Sequence, residues 1–384
     1  MFFHEVAEAP PDPIFGLLGA FQADVRKEKV NLMVGIYKDE RLRAEPLSSV
    51  KRVVVGMEVA DYLPIDGLAE LVELLGPVVF GGGWDRERMY GAHTVGGTGA
   101  LRVGGEFLVQ EVTKVCAVPN HTWPNHRLLE RAGMTLKTYP YYSREKRGFD
   151  VEALLGFLRG LPKKTAVMLH ACCHNPTGCD PNEREWREIS RVMKEGQLVP
   201  FFDFAYQGLG EGVEKDAEAI RLFVREGHEM LVAYSCSKNF SMYSQRVGAL
   251  FVVGENTGVK MGVGSQVKRI IRALYSNPPE YGARVVVEVL KKERELWLKD
   301  LEGMRARLGN MRRVLVEKLG SEFDYLQGHK GMFSFIDLDK GQVKRLIDEY
   351  AIYMTDNGRI SVAGLSRENV DYVVRGILSV CGRI

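Results

Sequence analysis

The chain has 384 residues, 45% of them hydrophobic and 27% charged, with 52 Lys and Arg against 50 Asp and Glu and a formal net charge of +2. So even a balance gives no reason to expect nucleic acid or an anionic membrane as partner, and the length exceeds one compact core, which favours two domains or one large α/β unit. No apolar run approaches the ~20 residues that cross a bilayer.

The opening residues, Met1-Phe2-Phe3-His4-Glu5, lack a basic stretch followed by an apolar one, so no secretory signal is read there. The six cysteines suit reduced thiols better than a disulfide framework, and the expected compartment is the cytoplasm. Ala9-Pro10-Pro11-Asp12-Pro13 cannot start a helix and predicts an extended arm, suited to packing on a partner subunit.

Gly96-Gly97-Thr98-Gly99-Ala100-Leu101 predicts a glycine-rich turn leading into a helix. Free N–H groups at such a helix start bind phosphate well. The loop is not GxGxxG and lacks the Walker lysine, and many such turns bind nothing.

Three continuously apolar runs follow: Val167–His170, Leu198–Phe202 and Met230–Tyr234. Apolar runs without alternation predict strands covered on both faces, hence a sheet between helices. Ligands of such sheets bind beyond the carboxyl ends of the strands, so the polar residues just after each run are the candidates.

After the first run comes His170-Ala171-Cys172-Cys173-His174-Asn175-Pro176-Thr177-Gly178-Cys179. Adjacent cysteines without a second CxxC pair make tetrahedral zinc awkward, and no metal is expected. A tight Asn-Pro-Thr-Gly turn that aims the Asn175 amide into a cleft is the better reading. Asp203 ends the second run. A carboxylate there needs a partner, and a structural ion pair or helix cap is the default. The third run leads into Ser235-Cys236-Ser237-Lys238-Asn239, with Arg246 eight residues beyond the lysine. A poorly solvated lysine has a lowered pKa and becomes a usable nucleophile and base. Taken alone, Lys238 reads as a lysine whose head reaches water.

Trp297, Leu301, Met304, Leu308, Met311 and Leu315 share one face of a long helix. Beyond Gly320 short strands and helices predict a smaller domain. The combination of phosphate cradle, strand-end carboxylate and strand-end amine is what pyridoxal phosphate requires: an anchor for its phosphate, a partner for its pyridine nitrogen, and an amine for its aldehyde.

At these residues the chain resembles the class I aminotransferases of fold type I, in the aspartate aminotransferase branch. The likeness runs from Ala9 to about Ile377. It is carried in order by Val30-Asn31-Leu32-Met33-Val34-Gly35-Ile36-Tyr37, Tyr62-Leu63-Pro64-Ile65-Asp66-Gly67-Leu68, the Gly96 loop through Arg102, Trp123-Pro124-Asn125-His126 and His174-Asn175-Pro176-Thr177-Gly178. It continues in Phe202-Asp203-Phe204-Ala205-Tyr206-Gln207-Gly208, Ser237-Lys238-Asn239, Arg246-Val247-Gly248, Tyr275-Ser276-Asn277-Pro278-Pro279 and Gly358-Arg359-Ile360.

The resemblance implies an α/β fold, with a large domain whose mixed, mostly parallel sheet lies between helices, plus a smaller α/β domain. The expected division is an arm and first part of the small domain at 1–43, the cofactor domain at 44–304 and the small domain at 305–384. Lys238 would hold the cofactor as a Schiff base and move the substrate proton. Asp203 would pair with the ring nitrogen, Trp123 would stack on the ring, and Tyr206 and Asn175 would bond its hydroxyl oxygen. His126 would lie behind Asp203. Gly97, Thr98, Ser235, Ser237 and Arg246 would hold the phosphate, with Tyr62 reaching the neighbouring subunit's cofactor in a homodimer.

Substrate contacts are implied in the same way. Arg359 would fork onto the α-carboxylate and Arg272, from the partner subunit, onto the side-chain carboxylate. Gly35, Ile14 and Phe15 lie at substrate positions, the last two as an apolar lid. Met33 replaces a glycine common in the family, Ser241 another glycine and Gln245 a glutamate, and the stretch between Arg43 and Tyr62 is short.

The expected reaction is ping-pong amino transfer between aspartate or glutamate and 2-oxoglutarate or oxaloacetate. The alternative is an aromatic amino acid aminotransferase. A lyase on the same fold lacks a need for Arg272, and a regulator would need a DNA-binding domain for which the chain has no room.

Overall fold

The computed structural model describes residues 15–53 and 61–383. The Pro-rich arm, Ile14 and the side chain of Phe15 lie outside the described residues.

The three apolar runs form adjacent parallel strands, β7 (Ala166–His170), β8 (Val199–Phe204) and β9 (Met230–Ser235). They are the centre of a seven-stranded sheet completed by β2 (Met89–Val95), β3 (Val115–Pro119), β4 (Thr135–Tyr139) and β10 (Val247–Val253), in the order β2-β10-β9-β8-β7-β3-β4. Only β10 runs against its neighbours, pairing antiparallel with β2 and β9.

The lack of alternation has a direct cause. Phe202, Phe204, Val232 and Tyr234 enter one core cluster, while Phe201, Leu231 and Ala233 enter another on the opposite face. A strand buried on both faces has no position left for a polar side chain until it ends. Burial of each large apolar side chain here contributes roughly 1.5–3 kcal/mol relative to exposure.

Smaller sheets complete the molecule. β1 (Val30–Asn31) pairs parallel with β12 (Ile352–Tyr353), and β11 (Phe333–Phe335) pairs antiparallel with β13 (Arg359–Ser361). A short hairpin joins β5 (Tyr142–Ser143) to β6 (Gly148–Phe149). The β1 pairing ties an early segment to the C-terminal one.

The periodic row after residue 293 forms one helix, Arg294–Leu319, with Trp297, Leu301, Met304, Leu308, Met311 and Leu315 all buried. It passes position 305 without a break. Near its start Trp297 stacks on Phe240 at 4.8 Å and donates from Nε1 to the Asn239 carbonyl at 2.8 Å. One rigid element therefore supports the backbone beside Lys238 and continues into the small sheets. No described helix is long and apolar enough to cross a membrane.

Candidate active site

The parallel register aligns the strand ends, with His170 opposite Asp203 and Asp203 opposite Ala233. The residues that follow face one cavity of about 240 Å³, lined by Gly35, Gly97, Thr98, Trp123, Asn175, Asp203, Tyr206, Ser235, Ser237, Lys238, Arg246 and Arg359. Residues spread over most of the chain thus converge on a single cleft.

Lys238 is half-buried, with Nζ 5.1 Å from the centre of the Tyr206 ring. Desolvation lowers its pKa; Asp203 opposes that shift and Arg246 adds to it. An amine poised below the usual lysine range is a better nucleophile and base near neutrality.

Asp203 is buried, and its Oδ2 accepts a hydrogen bond from Trp123 Nε1 at 2.8 Å. Among the described residues Oδ1 accepts none. That leaves an acceptor on the cavity wall for a cationic N–H. Trp123 thus meets Asp203 through its ring N–H and lines the cavity. His126, the second residue of the helix Asn125–Arg131, makes no hydrogen bond to Asp203 among the described residues. His170, beside Asp203 in the sheet, is an imidazole that feels its charge, and burial lowers its pKa against that pull.

The glycine-rich loop differs slightly from expectation, since the helix Gly96–Glu111 already begins at Gly96. Val95 supplies no side-chain cap, so the first-turn N–H groups remain available. Gly97 packs so close to the next strand that a Cβ would lie 2.9 Å from Ser235 Cβ. Arg246 Nη1 donates to Ser237 Oγ at 3.2 Å and to the Tyr243 carbonyl at 2.8 Å. Backbone amides, two hydroxyls and a guanidinium together form an anion cradle.

At the other wall, Asn175 Nδ2 donates to the Tyr206 hydroxyl at 3.4 Å, and its Oδ1 accepts from Arg359 Nη1 at 3.0 Å. Burial raises the Tyr206 pKa, and Arg359 partly offsets this. Arg359 Nη2 donates to the Met33 carbonyl at 2.6 Å, and its Nε is buried without a partner among the described residues. Burial pushes the Arg359 pKa down to about 10, so it stays charged at neutral pH. A buried cation with an unmet N–H is built for an incoming anion.

Besides His126, two predicted groups stay outside this cavity. Tyr62 is 87% exposed, and Arg272 is exposed with Nη1 on Ser276 Oγ. Residues missed from the sequence include His170, Tyr243 and Phe333. The strand register signals His170; Phe333 carries no reactive group, and only its place beneath Arg359, 4.5 Å from ring centre to guanidinium carbon, reveals it.

The adjacent cysteines do approach a third group. Cys172, Cys173 and Asp216 bring their ligand atoms within 4.8 Å of one another. Both Asp216 oxygens, however, already accept backbone N–H groups, from Gly208, Gly210 and Glu211, and so fix that turn. A larger hollow of about 580 Å³ beside Cys172 is rimmed by ion pairs such as Arg187–Glu183 and Arg221–Glu214.

An anion cradle, a carboxylate with one free oxygen and a desolvated amine fit pyridoxal phosphate: phosphate, protonated ring nitrogen and aldehyde in turn. The fold is that of the fold type I pyridoxal-phosphate transferases. Residues 27–377 match the aminotransferase class I and II family. The chain is 41% identical to the aspartate aminotransferase of Pseudomonas aeruginosa, over 98% of this chain and 99% of the relative. It is 40% identical to the aromatic-amino-acid aminotransferase of the same organism, over 99% of each. The crystal structure of an aromatic-amino-acid aminotransferase from Burkholderia pseudomallei, covalently bound to pyridoxal phosphate, matches with a TM-score of 0.94 at 41% identity, covering 99% of each chain. The chain belongs to the aminotransferase class I and II family, and it is an aminotransferase.

Proposed function

We propose that this enzyme is a pyridoxal-phosphate-dependent aspartate aminotransferase, which moves an amino group between aspartate or glutamate and 2-oxoglutarate or oxaloacetate in two half-reactions. The observation that carries the reading is the pairing of two walls of one cavity: the desolvated Lys238 amine beside Asp203, and the buried Arg359 with its unmet Nε.

Gly97, Thr98, Ser235, Ser237 and Arg246 would hold the cofactor phosphate, Asp203 Oδ1 the pyridine N–H, and Lys238 the aldehyde carbon. Bound there, the cofactor supplies an electrophilic carbon for the amino group and a ring that accepts electrons. Asp203 keeps the ring nitrogen protonated, which favours that acceptance. Tyr206 and Asn175 orient the ring hydroxyl. Arg359 receives the substrate α-carboxylate bidentately and places the Cα hydrogen toward Lys238. Lys238, as base, would take the substrate Cα proton at Nζ and hold it for return.

Arg272 and Tyr62 complete the site of a partner subunit in a homodimer, which accounts for their exposure in the single chain. Arg272 motivates the dicarboxylate preference. The six free thiols favour a cytoplasmic location. The division into domains falls within the Arg294–Leu319 helix.

An aromatic preference is the second reading, supported by the near-equal identity to an aromatic-amino-acid aminotransferase. The test is kcat/KM for aspartate against phenylalanine, each with 2-oxoglutarate. The proposal expects aspartate to lead by about tenfold or more. A lead for phenylalanine transfers the assignment, and turnover without any 2-oxo acid acceptor points to a lyase.

A further inference from the structure

Arg312 is a buried cation outside the reacting groups. It is 6% exposed on the Arg294–Leu319 helix, and among the described residues no carboxylate forms an ion pair with it. Desolvation pushes its pKa down to about 10, and the nearby Cys173 thiol is the opposing influence. Desolvating a guanidinium is unfavourable unless its N–H groups are met.

Its Nε and Nη2 are spent on one short stretch of chain. Nη2 donates to the Gly331 carbonyl at 2.5 Å and the Phe333 carbonyl at 3.4 Å, and Nε donates to Ser334 Oγ at 3.0 Å. The stretch enters β11, which pairs with β13 so that Phe335 stands opposite Arg359. The Phe333 ring lies against the Arg359 guanidinium. On another side the ring meets Gly35 so closely that a Cβ there would lie 2.8 Å from Phe333 Cζ. Phe333 thus has little room to move, and its ring plane limits where the Arg359 fork can turn.

We propose that Arg312 is a positioning residue for the substrate α-carboxylate: by fixing the Gly331–Ser334 backbone it holds Phe333 against Arg359 and orients the free edge of that guanidinium. The inference rests on the reading of Arg359 as the carboxylate ligand. The same helix supports the lysine side of the site through Trp297 and the Asn239 carbonyl. Two buried side chains of one helix therefore serve opposite walls, and their effects are separable.

The test uses the cofactor-loaded enzyme and succinate, a dicarboxylate with no amino group to transfer. Arg312→Met should weaken succinate binding, measured by calorimetry, by about tenfold or more. It should raise KM for aspartate by a similar factor, with kcat and the pH titration of the cofactor absorbance little changed. Arg312→Lys keeps the charge but not the fork, and should recover only a minor part of the loss. Succinate affinity within about twofold of wild type in Arg312→Met overturns the proposal, as does parallel loss of cofactor and succinate affinity. If Arg312→Met does not fold, Phe333→Leu carries the test: weakened succinate binding supports the proposal and unchanged affinity overturns it. Arg359→Lys is the control. Unchanged succinate affinity in that variant removes the reading of Arg359 itself, a failure distinct from one confined to Arg312.

Discussion

At the cavity floor, Asp203, Ser235 and Lys238 stand at or just beyond the ends of neighbouring buried strands, each fixed by the sheet register. At the surface, Tyr62 is 87% exposed and, among the described residues, Arg272 reaches its own neighbour Ser276. Strand ends and helix starts supply these floor residues from one chain. On the proposed reading, the surface pair serves a site that a second chain closes. On that reading one chain supplies the reacting lysine and its carboxylate, and a second chain completes the choice of substrate.

The sharpest way to break this contrast is at the floor. Lys238→Ala should reduce turnover by roughly 10⁴-fold or more, measured by steady-state kinetics, because it removes both the covalent anchor and the base. Asp203→Asn should cost about 10²–10³-fold in kcat through lost electrostatic support of the ring nitrogen. A substitution at Asp203 with near-normal kcat would mean that the carboxylate is only a structural group.

At the surface the loss should be selective. Arg272→Ala should lower kcat/KM for aspartate by about 10–100-fold and affect a monocarboxylate amino acid far less. Mixing Arg272→Ala with Lys238→Ala subunits should restore roughly a quarter of wild-type sites, since each mixed dimer rebuilds one. No recovery after subunit exchange would confine both residues to one chain and dissolve the contrast.

The smallest effect concerns stability. Burial lowers the folded-state pKa of Lys238 below its value in the unfolded chain. Stability unaffected above the unfolded pKa is then lost as pH falls toward the folded pKa. Cofactor-free Lys238→Met should be more stable than cofactor-free wild type at pH 7, by on the order of a few degrees in Tm, and the difference should shrink as pH rises toward 10.5.

Much of the floor was legible in the sequence for a physical reason. A strand covered on both faces excludes polar residues until its end, so Asp203, and the Ser235–Lys238 segment, mark themselves. The Gly96 loop was legible as a helix start, though the glycines turned out to lie inside the first turn. Contacts set by three-dimensional packing were not legible. Nothing in the order of residues places the Met33 carbonyl on Arg359, the Trp123 indole on Asp203, or Arg312 beneath β11. The helical row from Trp297 to Leu315 gives its apolar face, but a buried arginine on that helix reads like any surface cation until its partners are known.

The claim on which the rest depends is that the Lys238 amine holds the cofactor. Reducing the loaded enzyme with borohydride and mapping the pyridoxyl label by peptide mass spectrometry tests it directly. The account predicts a label on Lys238 and on no other lysine. A label on a different lysine, or none in an enzyme that still turns over, contradicts it.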